Sequence, residues 1–362
     1  MKRTSLIISL ILASAFVSNE INGQKVITVR DKYVLLTMPY SERPLSLYRG
    51  QIQASAGYKF AVRAQSFNKE GDLVHLKDFG TGSVYHYYFG EIKFGVTDFM
   101  EIGAVTNFLR RGIRDATVTV VSATTTATER ITVNKLTESK GMGDIFLYTS
   151  VRLPVEYRWF DFAVKGGMFI PSARYEPQKP ANTVKAVSLA SETSTTINLH
   201  YKNRNGYGVP VWLAAAAAKF TYGDLSVVAE WSVRDPVKEG QNIRWEETLA
   251  EKVFSYYDRS YTYLLSRTCT IDASLHYQAT GWFNLSLNGS WFRSKGGWTE
   301  YWGNRYENPE KRLLNLEPGF ELQISPGLTV YQVAGFPVSG KDSDAPFYLY
   351  TTISFNMFPF LR

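Results

Sequence analysis

Cysteine is almost absent from this chain of 362 residues, in which Cys269 is the only one. A single thiol excludes an internal disulfide and any metal site built from several cysteines. Cys269 falls on the apolar phase of an alternating stretch, which favours a role as a small hydrophobic side chain. With 44% hydrophobic residues, the chain is long enough to fold without such cross-links.

Long apolar runs are also lacking after the N-terminal segment. No later stretch of about 18 apolar residues occurs that could form a membrane-spanning helix. At the N-terminus itself, Lys2 and Arg3 precede an apolar segment at residues 5–17, and small polar residues lead to Gly23. This order is typical of a secretory signal peptide, which we predict over residues 1–23. The sequence therefore predicts an exported protein.

Residue patterns for catalysis and cofactor binding are missing as well. The four histidines have no zinc-type spacing, and the glycine-rich pieces at 141–144 and 165–167 lack phosphate-loop spacing. Ser274 and His276 share one polar face, but such a pair is commonplace in a strand rich in serine and threonine. The net charge of +7 comes without a dense Lys/Arg cluster, which argues against a nucleic-acid partner. We therefore predict no enzymatic activity, no cofactor and no metal site.

The sequence contains, instead, repeated alternation of apolar and polar residues. In YTYLLSRTCTIDASLHYQ (residues 261–278) nearly every second residue is apolar, with Leu264 and Arg267 as exceptions. Such a period of two indicates a strand with one apolar and one polar face. About twelve segments carry it: 51–67, 84–96, 99–108, 143–153, 159–170, 208–221, 224–233, 259–278, 282–293, 312–324, 328–338 and 346–358.

The connections between these segments form a second pattern, because long and short gaps alternate without a break. Short gaps hold tight-turn residues, as at Thr97-Asp98, Tyr222-Gly223-Asp224 and Ser325-Pro326-Gly327. Bacterial outer-membrane barrels have short periplasmic turns and long external loops. A soluble sandwich with Greek-key connections has no reason to sort its loops in this way.

Together these patterns predict an all-β fold, a transmembrane antiparallel up-and-down β-barrel of about 12 strands. Residues 51–362 form the barrel, after a periplasmic lead-in, a short extra strand or a partial plug at 24–50. The segment at 259–278 is predicted as one long strand that crosses the membrane and projects beyond it, with Leu265 facing lipid. The Thr-rich run at 117–133 is either a hairpin or a mobile part of an external loop.

Aromatic residues cluster near the predicted strand ends, where Trp and Tyr favour membrane interfaces. They are Tyr85, Tyr87, Tyr88, Trp159, Phe160, Tyr256, Tyr257, Tyr261, Trp282, Trp291 and Phe292. The last predicted strand ends in aromatic residues, much like the signal that barrel-assembly machinery recognises in outer-membrane proteins. It departs from that signal in finishing with Leu361 and Arg362.

Charged residues on the polar phase of the strands are predicted to line the lumen. They are Lys59, Arg63, Glu91, Lys93, Glu101, Asp144, Arg152, Asp161, Lys165, Glu230, Asp272, Glu317 and Glu321. They either line an open polar passage or form paired charges that fill a narrow barrel. In the predicted external loop at 294–311, four aromatic residues are candidates for solute contact: Trp298, Tyr301, Trp302 and Tyr306.

Three short motifs carry a family resemblance: FGEIKFGVTDFMEIGAVTNF (89–108), GMGDIFLYTSVRLP (141–154) and VKGGMFIPSARY (164–175). In this order they resemble the outer-membrane barrels named for the meta-pathway of phenol degradation (MetA-type, transporter-like). The third motif has Ser172-Ala173 where the family has Thr-Gly. The resemblance implies a protein that passes small, often hydrophobic molecules, and it transfers no catalytic residues.

These observations predict a passive channel or transporter for small solutes, including hydrophobic or aromatic ones, in the outer membrane of a Gram-negative bacterium. The expected partners are outer-membrane lipid and lipopolysaccharide, the barrel-assembly machinery and a small-molecule solute. Two alternatives stay open at this point. One is a barrel without a pore that acts through its long loops, and the other is an exported soluble β-rich protein.

Overall fold

Twelve long antiparallel strands dominate the computed structural model of this protein. It describes residues 45–75, 82–114, 116–121, 128–133, 137–153, 159–172, 183–187, 194–198, 206–250, 253–301 and 303–358. The strands are β1 (Ile52–Arg63), β2 (Gly82–Gly95), β3 (Met100–Arg114), β4 (Ile145–Arg152), β5 (Phe160–Ile170), β6 (Val211–Tyr222), β7 (Leu225–Pro236), β8 (Arg267–Thr280), β9 (Phe283–Lys295), β10 (Lys311–Ser325), β11 (Leu328–Lys341) and β12 (Phe347–Met357).

These strands close into a barrel. Each pairs with the next along the chain, and β12 returns to β1 with a register from Ile52↔Met357 to Val62↔Phe347. Closure satisfies backbone groups that an open sheet edge would leave unpaired in lipid. The prediction of a twelve-stranded up-and-down barrel is therefore confirmed. Among the residues that the structure describes, no helix is long and apolar enough to cross a membrane.

One end of the barrel carries the short connections, and the start of β1 and the end of β12 lie there too. Gly223 and Gly327 form the β6–β7 and β10–β11 turns with φ of 57° and 81°, a region that favours glycine. By the usual topology of outer-membrane barrels, this is the periplasmic end.

The external end is extended by short strands in the long connections. A four-stranded sheet joins Gly240–Ala250, Val253–Leu264, Trp298–Tyr301 and Asn304–Glu307. Ala116–Val121 pairs with Thr128–Val133, so the Thr-rich run forms a hairpin. The remaining short strands are Gln65–Phe67, Leu73–His75, Thr137–Met142, Thr183–Val187, Ser194–Asn198 and Ser343–Asp344.

The predicted long strand at 259–278 is wrong in one respect. It is broken at residues 265–266, where Val253–Leu264 ends in the external sheet before β8 begins in the barrel. Leu265 packs against the buried cluster of Val209, Val211 and Tyr263 instead of facing lipid.

Burial is inverted relative to a soluble protein. Large apolar side chains on the outward phase are exposed, as at Ile92 (57%) and Leu287 (45%), whereas Glu101 (3%) and Lys219 (5%) are buried. Because soluble monomers rarely expose such a continuous apolar surface, the outer face is a lipid-facing belt. This arrangement excludes the exported soluble alternative.

Aromatic residues border the belt at its periplasmic edge. The Trp159 and Phe220 ring centroids lie 6.3 Å apart, and those of Trp282 and Phe283 lie 5.9 Å apart. Such residues anchor a barrel at the membrane interface. Not every predicted girdle residue lies there, since Tyr87 shares the inward phase of Glu91.

Candidate functional site: the barrel lumen

The inner face of the barrel carries polar side chains along most of its length. Small hydroxyl side chains are buried here, including Ser150 (2% exposed) and Ser226 (1%). His276 is also buried on this face, and Ser274 shares its phase. Polar side chains on the inward phase are what an aqueous or solute-binding lumen requires.

A belt of charged and phenolic groups crosses the middle of the lumen. Lys93 Nζ lies 3.4 Å from Glu91 Oε2, and Lys165 Nζ lies 3.4 Å from Glu230 Oε2. Glu230 stands directly opposite Asp272 across the β7–β8 pair. These charged residues form what we call the mid-lumen belt. Carboxylates on some strands lie beside lysine amines on others, so the electrostatic potential varies around the circumference of the lumen.

Two tyrosines on the inner wall share one arrangement. Each lies flat across a glycine of the adjacent strand and donates a hydrogen bond to a glutamate two strands away. Tyr148 on β4 covers Gly103 on β3 and donates a hydrogen bond of 2.9 Å to Glu91 on β2. A Cβ atom on Gly103 would overlap the Tyr148 ring. The glycine is therefore needed for the tyrosine to lie flat against the wall and couple three strands.

The second arrangement has the same parts on other strands. Tyr348 on β12 covers Gly335 on β11 and donates to Glu317 on β10. Lys59 Nζ lies 3.4 Å from the centroid of the Tyr348 ring, which is within cation–π distance. Each arrangement narrows the lumen less than an upright tyrosine would.

The periplasmic mouth holds the first described residues of the chain. The backbone amides of Leu45 and Leu47 donate to Asp161 (2.9 Å) and Glu101 (2.8 Å), two carboxylates on the inward phase. The Arg152 guanidinium lies 4.7 Å from the Tyr48 ring centroid and donates to the Asp98 carbonyl at 2.7 Å. Residues 45–51, the mouth segment, thus run along the inner wall from β1 toward β5.

Aromatic rings form one wall of the external half of the lumen. The Phe146 and Phe169 centroids lie 4.4 Å apart, and the Phe169 and Tyr207 centroids lie 5.1 Å apart in an edge-on arrangement. Tyr207 is fixed by its backbone amide, which donates to Asp144 at 2.6 Å. This aromatic wall offers flat apolar surface above the mid-lumen belt.

Arg234 lies against the aromatic wall. Its Nη1 donates to the Tyr207 hydroxyl at 3.3 Å, and its guanidinium carbon lies 5.4 Å from the Phe169 centroid. Within the described part of the chain, its buried Nε has no hydrogen-bond partner. A cation beside aromatic rings suits a solute that combines an aromatic ring with a negative charge.

The sequence-predicted lumen residues fall into these groups, with three residues to be placed separately. Arg63 lies at the external rim, where its Nη1 is 2.8 Å from Asp344 Oδ1. Glu321 is buried toward the periplasmic end of β10 at 4% exposure. Asp144 stands at the junction between Thr137–Met142 and β4 rather than within a strand.

The four loop aromatics do not form one described cluster. Trp298 is buried (6% exposed) beneath the Arg305 guanidinium, which lies 3.7 Å from its ring centroid. Tyr306 is 58% exposed. The side chain of Tyr301 and all of Trp302 lie outside the described residues.

Sequence reasoning missed Arg234, Phe146, Phe169 and Tyr207. The predicted seventh strand ended at residue 233, one position before Arg234. Arg234 lies on the same inward-facing phase as Glu230, because the two are four residues apart in one strand. Continuing the alternation for one more residue would have placed the arginine in the lumen. Tyr207 comes from the connection before β6, so no strand period could have placed it.

No protein-family model and no curated protein sequence matches this chain. Its structure is similar to the crystal structure of an outer membrane channel from Pseudomonas putida F1, with a TM-score of 0.59 and 10% identity. The match covers 86% of this chain and 97% of that chain. Likeness at this identity shows a shared fold.

The chain is an outer-membrane β-barrel. With its lipid-facing belt, it lies in the outer membrane of a Gram-negative bacterium. The translocator domain of the autotransporter NalP from Neisseria meningitidis gives a TM-score of only 0.45, at 10% identity over 85% of this chain and 90% of that chain. That weaker likeness adds nothing to the fold assignment.

Proposed function

We propose that this barrel is a passive channel for small solutes that combine an aromatic or apolar part with a negatively charged group. The observation that carries the proposal is Arg234 beside the aromatic wall of Phe146, Phe169 and Tyr207. A solute ring would stack on the wall, and its anionic group would accept hydrogen bonds from the guanidinium. The resemblance to MetA-type barrels, suspected of passing small hydrophobic molecules, is consistent with this role.

The mid-lumen belt is the next region of the pore that such a solute would contact. Lys165 and Lys93 offer positive charge there, while Asp272 and Glu230, which pairs with Lys165, would repel an anion from their part of the wall. Passage requires binding weak enough to permit release, and alternating charge around the lumen lowers the affinity of any single position.

A barrel without a pore is the second candidate, and the ion pairs favour it. Lys93 with Glu91, and Lys165 with Glu230, satisfy one another inside the lumen. The mouth segment also occupies part of the periplasmic opening. A barrel filled in this way could act as a surface protein through its long loops.

Conductance separates the two candidates. We expect purified protein in planar bilayers to give single-channel currents, and the double variant Glu101→Gln/Asp161→Asn to give larger ones. The amides of Leu45 and Leu47 lose charged acceptors in this variant, which weakens hydrogen bonds worth about 1.5–3 kcal/mol each. Glu310→Gln, at the external rim, is the matched control and should leave conductance unchanged. Silent bilayers with both wild type and double variant would favour the barrel without a pore.

Arg234→Gln tests the solute class. Benzoate should block the current of the wild-type channel, and the variant should need at least about 10-fold more benzoate, since a charge-assisted hydrogen bond contributes about 1.5–3 kcal/mol. Benzyl alcohol, which has the ring without the charge, should act equally on both proteins. The control Arg267→Gln removes the same charge on the outer face of the rim. An unchanged benzoate response in Arg234→Gln would contradict the assignment.

A further inference from the structure

Five cations cluster on the outer face of the barrel at the external ends of β8 to β11. They form what we call the cationic rim patch: Arg267, Arg293, Lys295, Arg312 and Lys341. Cross-strand partners point to the same side of a sheet, and three pairs within the patch stand directly opposite one another. The pairs are Arg267↔Lys295, Arg293↔Arg312 and Arg312↔Lys341.

The patch faces the membrane side and not the lumen. Arg293 follows Trp291 on the outward phase of β9, and Arg312 precedes Leu314 on the outward phase of β10. Leu314 is exposed on the lipid-facing surface and Trp291 stands directly opposite it, so the cations begin one outward position beyond the apolar belt. Anionic headgroups of the external leaflet lie at this level.

Protein carboxylates neutralise only part of this charge. Glu310 Oε1 lies 2.8 Å from Arg293 Nε and 2.7 Å from Arg312 Nη2, and hydrogen bonds from both arginines lower the pKa of Glu310 to about 2. Asp235 lies 2.7 Å from Arg267. Lys295 and Lys341 are exposed and have no ion-pair partner in the described part of the chain.

Like charges directly opposite one another on adjacent strands are destabilising. Here three such pairs share two carboxylates, so positive charge is left in excess. An external anion that lies between the strands removes the repulsion. A ligand with two phosphates, spaced across several strands, fits the row better than one small anion does.

The periplasmic edge of the same strands has a different chemistry. Its outward positions carry Tyr277, Phe283, Phe320 and Ile324, and none of the described outward positions there on β8 to β11 is a cation. The charge is therefore confined to the leaflet that contains lipopolysaccharide. We propose that the cationic rim patch binds the phosphates of the lipid A portion of lipopolysaccharide.

The test uses the double variant Lys295→Gln/Lys341→Gln. Both lysines are free of ion pairs with described residues, so their removal breaks no described salt bridge. The matched control is Lys311→Gln at the same rim, because Lys311 pairs with the buried Ser294 on the inward phase. Gel mobility before and after boiling verifies that each variant is folded.

Binding is measured with full-length protein in detergent micelles containing diphosphoryl lipid A. Each lysine near an anionic surface contributes about 5-fold in affinity, so the double variant should bind about 25-fold more weakly. Lys311→Gln should bind as wild type does, and higher salt should weaken wild-type binding. Monophosphoryl lipid A should bind more weakly than the diphosphoryl form.

Several results would overturn the assignment. One is equal affinity of the wild type and the double variant for diphosphoryl lipid A. Another is a loss of lipid A affinity in Lys311→Gln as large as that in the double variant. Equally tight binding of phosphatidylglycerol, or full competition by inorganic phosphate at the same concentration, would show a general anion surface instead. The experiment does not measure channel activity. The lipid A assignment can therefore fail while the proposed channel function holds, and the reverse is also true.

Discussion

Replacing Leu287 with arginine should lower the free energy of unfolding by about 2–4 kcal/mol, the cost of a cation at mid-membrane on the lipid face of a barrel. Leu287 is 45% exposed on the outward phase of β9, flanked by Leu275 on β8 and Pro318 on β10. Among the described residues of β8, β9 and β10, no outward position carries a carboxylate that could offset the charge. Urea titration of protein folded in lipid vesicles, followed by tryptophan fluorescence, measures the change.

Ile324→Arg is the control, because it makes the same kind of substitution on the lipid face but near the membrane interface. Ile324 is 62% exposed on the outward phase of β10, one residue before its periplasmic end. A cation near the interface costs only about 0–1 kcal/mol, because the side chain reaches water and headgroups. Equal costs at Leu287 and Ile324 would mean that the outer face of β9 does not meet hydrocarbon.

Adding one methyl group at Gly103 should destabilise the barrel by about 1–3 kcal/mol, the usual cost of overpacking. The Cβ of Gly103→Ala would overlap the Tyr148 ring, which would have to leave its hydrogen bond with Glu91. The same urea titration measures the loss. Gly166→Ala is the control, since a Cβ there meets no atom within 4 Å.

A second substitution separates ring overlap from a general effect on the strand. In Gly103→Ala/Tyr148→Ala the ring is absent, so the added methyl group has space and the two costs should not add. Tyr148→Phe keeps the ring and loses only the hydrogen bond to Glu91, so it should cost less than Gly103→Ala. Strict additivity in the double variant would contradict the flat packing of Tyr148 over Gly103.

Much of this architecture could be predicted because membrane barrels have simple sequence rules. Alternation along β1 and β2 reports directly which side meets lipid, since each residue of a strand faces one of only two environments. The number of alternating segments predicted the strand count, and the alternation of long and short connections predicted the orientation. The mistake at Leu265 has the same origin. Strands of the barrel and of the external sheet both alternate, so period alone did not locate the break at 265–266.

The sequence by itself determined the alternating strands, the lipid-facing belt and the polar character of the interior, because these depend only on residues close together in the chain. Closure then follows because an open sheet edge in lipid would leave backbone groups unpaired. The tertiary structure alone decided which lumen groups meet. Tyr148 reaches Glu91 across Gly103, and Arg234 meets Phe169 and Tyr207, through the register of strands far apart in sequence. The same holds for the cationic rim patch, whose charges become neighbours only when four strands align. Register is a property of the closed sheet, and a single strand's alternation leaves it open.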